Sequence, residues 1–174
     1  STKPLYYCFE DNNFIISTYG ISVENNNMKN IRKLSPDNYW DYELGYWWFS
    51  DISRFGKVMS HAELYKKIID LPGSIAEFGV YKATSLIRWL SLREIFETAS
   101  TRKVFGFDAF GTFPTKDLTS VKSDLDFVKK FNESGGDGLS LEETDSLLKA
   151  KPFNNYELIN GDVRDTVPKF LKKN

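Results

Sequence analysis

The stretch SIAEFGVYKATSL, Ser74–Leu86, starts as an apolar β-prone run, turns at one glycine and passes into a helical pattern. Ile75–Phe78 reads as a short buried strand and Gly79 as the turn. Thr84 or Ser85 can cap a helix running to about Thr98, with Leu86, Leu90 and Trp89 facing inward. An acid, Glu77, stands two residues before the glycine. A strand, a turn and a helix with a single glycine form either a cofactor crevice or only a tight turn.

The same rhythm recurs downstream. KVFGFDAF (Lys103–Phe110) is a second strand ending in Asp108, and YELINGD (Tyr156–Asp162) is a third. Between them an insertion holds a loop, a helix near Ser123–Phe131, a Gly135-Gly136-Asp137-Gly138 turn, and a helix from Ser140 to Ala150 opened by a capping box with Glu143. Thr166-Val167-Pro168 reads as the opening of a last helix, since proline is tolerated in a first turn. Alternating strands and helices predict an α/β fold with a parallel, helix-covered sheet.

Upstream, Tyr6–Thr18 has two β-prone runs around Asp11-Asn12-Asn13 and predicts a hairpin. Glu24–Asn30 is a polar linker. Asn38–Ser50 holds a dense run of aromatics, which fits a helix covering the core or a wall over a substrate pocket. Ser60-His61-Ala62-Glu63 has the pattern of a capping box, predicting a helix from there to about Asp70 with Leu64, Ile68 and Leu71 on one face and His61 toward solvent. The expected division is residues 1–59, a hairpin and aromatic-rich helical extension, and residues 60–174, an α/β domain.

Composition narrows the function. The 174 residues are 41% hydrophobic, enough for one sizeable core, and the net charge of −1 gives no global attraction to nucleic acid or membrane. One cysteine, Cys8, and one histidine, His61, rule out an intrachain disulfide framework and argue against a zinc site of the usual His/Cys type. No nucleophile elbow is present. With no long apolar run and no signal-peptide pattern, a soluble cytoplasmic protein is the expectation.

The informative placement is that of three acids. Glu77, Asp108 and Asp162 each fall at or near a strand's carboxyl end, where open α/β sheets bind ligands. Asp108 suits a ribose diol, Asp162 an adenine amino group, and Glu77 a cationic amine. NAD fits less well: Gly79 is followed by no second glycine, and Asp108 lies further on than the roughly 20 residues usual in dinucleotide sites. A nucleoside carrying positive charge, such as S-adenosylmethionine, suits the set.

IAEFGVYKATSL, VFGFDAFGTFP and INGDVRDTVPKFL together resemble the macrocin-type (TylF-like) O-methyltransferases, a class I family that methylates sugars. That family shows E-x-G-V-(Y/W)-(K/R)-G-G-S, then G-F-D-(S/T)-F-E-G-(F/M)-P, then G-x-x-(K/R)-(D/E)-T-(L/V)-P, in this order and spacing. The resemblance runs from about Gly73 to Lys172. It implies a Rossmann-like sheet and S-adenosylmethionine as cofactor. Glu77, Gly79, Val80, Tyr81, Lys82 and Ser85 would lie around the methionine end, Asp108 on the ribose, Ala109 and Phe110 beside the adenosine, and Asp162 and Val163 at the adenine. It also implies a small-molecule acceptor, such as a deoxysugar or glycoside, and allows a homo-oligomer.

Three features depart from the family. Ala83-Thr84 replaces the Gly-Gly pair, so an ordinary backbone or a different loop is expected there. Gly111 stands in place of the family's acid, and Thr112 in place of its glycine. The family's divalent-metal site, with Mg2+ as the expected ion, and its acid–base residues follow a fourth strand that does not occur before Asn174. The expectation is therefore the cofactor-binding half of such an enzyme, with an incomplete sheet, an open edge at the third strand, no catalytic residue or metal ligand identifiable, and no turnover by these residues alone. Other class I methyltransferases and a non-catalytic nucleotide-binding domain remain as alternatives.

Overall fold

The computed structural model describes residues 5–10, 13–18, 36–112, 126, 128–130, 133 and 135–173, the first two stretches and Pro36 by backbone alone. β1 (Leu5–Glu10) and β2 (Asn13–Thr18) pair antiparallel with Glu10 opposite Asn13, the expected hairpin. After a short 3-10 turn, Pro36–Asn38, come α1 (Tyr39–Phe49) and α2 (Ile52–Lys66). Then follow β3 (Ile75–Phe78), α3 (Thr84–Phe96), β4 (Val104–Asp108), α4 (Leu141–Lys149), β5 (Tyr156–Asn160) and α5 (Val163–Lys173). Of the helix expected near Ser123–Phe131, Asp126 and residues 128–130 are helical; the rest lies outside the described residues.

β3, β4 and β5 form a parallel sheet in that order, with Ile75 beside Val104 and Val104 beside Tyr156. Its core lies on one face, where Leu86 and Leu90 of α3 and Leu148 of α4 pack with Val104, Val80, Ala83 and Leu139. Gly106 on β4 sits where a side chain would be crowded: an added Cβ would lie 3.0 Å from Val80 Cγ2 and 3.3 Å from both Leu86 and Leu158, so those side chains would have to shift. α5 crosses to the opposite face, setting Phe170 against Phe105 and Phe107. The sheet is not closed. Among the described residues both β5 and β3 are edges, and Phe78, stacked on Phe107, stays 59% exposed on the α5 side.

Several helix expectations change. α2 is one helix from Ile52, running unbroken through residues 59 and 60, with Asp51 as the cap accepting from Ser53 N–H. Ser60 is therefore mid-helix and donates to the Gly56 carbonyl, four residues back, a bond open to any helical serine. Its inward face is set by Tyr65, fully buried, while Leu64 and Leu71 are exposed. His61 is not turned to solvent: it stacks on Trp89 at 4.4 Å with Nδ1 buried and unpartnered. Burial, with Arg88 and Lys57 nearby, pushes its pKa down. α1 buries none of its residues and so does not cover the core; it packs Tyr46 and Trp47 against Phe55 of α2. α5 begins at Val163, earlier than Thr166, and holds Pro168 inside. The capping box of α4 forms as expected, with both Ser140–Glu143 bonds present.

The amino ends of the strands are fastened by charge. Arg93, fully buried, follows Leu90 and Leu86 on the inward stripe of α3. Its guanidinium donates to the carbonyls of Arg102, Asn154 and Asn155, just before β4 and β5. Arg102 pairs with Glu97 at 2.7 Å and donates to the Ile68, Ile69 and Leu71 carbonyls after α2. Tyr65 donates to the same Glu97, and burial with that carboxylate beside it drives the phenol far up. The amino ends are thus held rigidly while the carboxyl ends carry the loops.

Candidate functional site

At the carboxyl ends the loops after β3 and β4 interlock. Gly79 N–H donates to the Phe107 carbonyl at 2.8 Å, and Gly79 takes φ +89°. Nothing lies within 4 Å of where its Cβ would be, so it forms an open ledge. Both loops hold residues in an unusual backbone: Tyr81 and Ala83 in the first and Phe110 in the second adopt φ of 52°, 57° and 50°. Ala83 therefore keeps the left-handed conformation expected only of glycine, and it, not Thr84 or Ser85, is the N-cap of α3, with no side-chain cap bond. Such residues cost of order 1–3 kcal/mol each and persist where their surroundings hold them.

Asp108 holds two of them, Tyr81 and Phe110. Its Oδ2 accepts from Val80 N–H at 2.5 Å and Tyr81 N–H at 2.8 Å, and its Oδ1 accepts from Phe110 N–H at 2.8 Å. The carboxylate ties the first loop to the second and is mostly spent on backbone. Tyr81 and Lys82 are also committed. The Tyr81 hydroxyl donates to the Gly135 and Gly136 carbonyls, and Lys82 Nζ to Gly135. Val80 is core, Phe110 packs against the core, and Ala109 is half-buried.

Glu77 differs. Ser85, on the first turn of α3, donates to its Oε1 at 2.6 Å, while its Oε2 is buried with no partner. Burial raises its pKa to about 7, against the pull of the Ser85 bond and Arg88. An orphaned carboxylate oxygen beside an open glycine ledge is the chemistry of a cation site.

The third acid adjoins the others through Gly161, whose N–H donates to the Asp108 carbonyl at 2.9 Å. Asp162 itself caps α5: its carboxylate takes Arg164 N–H and the Arg164 guanidinium, which hold its pKa at about 2. Val163, the first residue of α5, is 39% exposed. The structure thus brings Glu77, Gly79 and Ser85 together on one open side and knits Val80, Tyr81, Asp108 and Phe110 into the loop frame. Among the described residues no three His, Cys, Asp or Glu side chains gather as a metal site, and no helix is long and apolar enough to cross a membrane.

Sequence reasoning missed the Gly135–Leu139 segment. Leu139 N–H donates to the Tyr81 carbonyl and Gly111 N–H to the Leu139 carbonyl, both at 2.9 Å, so this strip closes one side of the site. The only signal was its glycines: a Cβ on Gly135 would fall 2.4 Å from the Tyr81 hydroxyl oxygen, and one on Gly138 2.8 Å from the Gly111 carbonyl.

No family model and no curated protein matches the chain. Among solved structures it is similar to the calicheamicin methyltransferase CalS11, with TM-score 0.51 and 24% identity over 85% of this chain and 60% of that one. It is also similar to the apo form of CalS11, a TDP-rhamnose 3'-O-methyltransferase, with TM-score 0.47 and 25% identity over 84% of this chain and 56% of that one. The chain spans 60% or less of these proteins' length. The likeness is one of architecture: the parallel sheet with its flanking helices is a fold this chain shares with that protein.

Proposed function

We propose that this chain binds S-adenosylmethionine across the carboxyl ends of β3 and β4 and serves an O-methyltransferase whose acceptor is a sugar hydroxyl. The observation that carries this reading is the buried, unpartnered Oε2 of Glu77 beside the Gly79 ledge. Open α/β sheets bind ligands beyond the carboxyl ends of their strands, where the loops after β3 and β4 lie. The motifs around Glu77, Asp108 and Asp162 and the CalS11 likeness of the fold point the same way; the acceptor class comes from those motifs and from what CalS11 methylates.

The residues fit the ligand unevenly. Glu77 and the ledge suit the ammonium end, whereas Asp108 can offer a ribose only what its loop bonds leave on Oδ1. Bound S-adenosylmethionine would supply a methyl group on a sulfonium for in-line displacement. The chain's own part is to fix that ligand's amino-acid end and to hold its loops rigid, since alignment is most of what such a reaction asks of a protein.

Titration calorimetry with S-adenosylhomocysteine, NADH and ATP tests the reading. Binding of the first alone is expected; binding of NADH or ATP instead would replace it with a dehydrogenase or nucleotide-binding domain. Asp108→Ala should weaken S-adenosylhomocysteine by about 1.5–3 kcal/mol, chiefly by freeing the loop bonds. An unchanged affinity in a folded variant removes Asp108 from the site.

Gly79→Ala separates conformation from contact. Its positive φ should cost about 1–2 kcal/mol of stability in the ligand-free protein, as no neighbour is struck. Affinity should fall by more than that strain accounts for, because the methyl stands on the ledge. Equal losses in stability and affinity would make Gly79 a turn residue only.

A further inference from the structure

Arg88 lies three residues past Ser85 on α3, a spacing that sets Cβ atoms about 5–6 Å apart on one helix face. Ser85 already touches Glu77, and Trp89, the next residue, stacks on His61. Arg88 is near enough to both Glu77 and His61 for its charge to act on each, favouring the ionised Glu77 and disfavouring a protonated His61. Yet among the described residues Arg88 closes no hydrogen bond or ion pair, and Glu77 Oε2 has none either. Two opposite charges stand in each other's field without meeting. Lys82, the other cation of the turn, is held away on the Gly135 carbonyl.

Such a gap matches a ligand that carries both charges itself. We propose that Glu77 and Arg88 form a zwitterion clamp, Glu77 taking the ammonium and Arg88 the carboxylate of an α-amino acid, so that the site selects amino-acid conjugates over other adenosine derivatives. The proposal rests on the S-adenosylmethionine reading above and deepens it. Arg88 is a binding residue here, acting through a two-pronged guanidinium–carboxylate contact.

The test is calorimetry at up to millimolar ligand with S-adenosylhomocysteine, its decarboxylated amine and 5'-methylthioadenosine, alongside thermal melts. Arg88→Met should weaken S-adenosylhomocysteine about 10–100-fold, as loss of a charge-assisted pair does. It should leave the decarboxylated amine and the melting temperature unchanged. Arg88→Gln gives the same comparison if the Met variant folds poorly. Wild-type affinity for S-adenosylhomocysteine in a folded variant overturns the clamp, and so does an equal loss for both amines. Failure of the wild type to bind any of the three ligands rejects the adenosyl reading itself, a result distinct from either.

Discussion

Glu77→Gln is expected to make the ligand-free protein more stable at pH 8 and to abolish its binding of S-adenosylhomocysteine. Glu77 titrates near 4.5 in the unfolded chain and near 7 in the folded one. Between those values the folded state holds the extra proton, so stability falls as pH rises and the loss is complete above about pH 7. Each pKa unit corresponds to about 1.4 kcal/mol, which puts the loss at roughly 3–4 kcal/mol. The Gln variant escapes it. Urea melts of both proteins at pH 4, 6 and 8 should converge at the acid end and diverge at the alkaline end. A bound ammonium stabilises the ionised carboxylate, so wild-type affinity should rise with pH up to about 7 and then level off. A Gln variant no more stable than wild type at pH 8 would mean that Glu77 is not held as an unpaired acid.

Arg93→Ala is expected to be the most damaging change away from the site, costing about 3–5 kcal/mol, the usual penalty for opening a buried charged network. The Arg102 and Asn154 carbonyls would each lose their Arg93 donor in a buried or half-buried setting, and the space of the arginine stem would stand empty. Asn155 would suffer less, because Val104 N–H also bonds its carbonyl. The urea midpoint gives the measurement; a loss below about 1 kcal/mol would show that the carbonyls find water or other donors. Because Arg93 sits at the amino ends of the strands, ligand affinity in the surviving folded fraction should be close to wild type.

These two residues mark where the sequence was legible and where it was not. The strands around Glu77, Asp108 and Tyr156 were readable because short apolar runs bounded by turns have few other uses. Leu86 and Leu90 were readable as inward by their period. Arg93 continues that stripe, but a charged residue reads as solvent-facing unless the carbonyls it meets are known, and those come from distant segments. The Ser60-to-Glu63 pattern misled because a serine and a glutamate at that spacing serve equally well within a helix. Ala83 misled in another way: it takes a left-handed conformation, φ 57°, at a position where an alanine's local preference predicts an ordinary backbone. The positions of the three acids were legible. What Asp108 and Asp162 bond to was not, since their partners are backbone N–H groups and a neighbouring arginine whose orientations exist only once the chain has folded.

The bonds joining Gly111 to Leu139 and Gly138 to Gly111 have a consequence for exchange between proteins. They bring the two ends of the intervening stretch to one point above β4 and fasten them there. The excursion between them is a closed detour whose length need not alter the geometry of the sheet. Doubling the length of a loop between fixed ends costs only about 0.6 kcal/mol in closure entropy. This makes the Gly111–Leu139 junction the natural seam for a graft. A segment from another protein could be spliced in there, adding new surface at the mouth of the site while the loop frame around Asp108 stays in place.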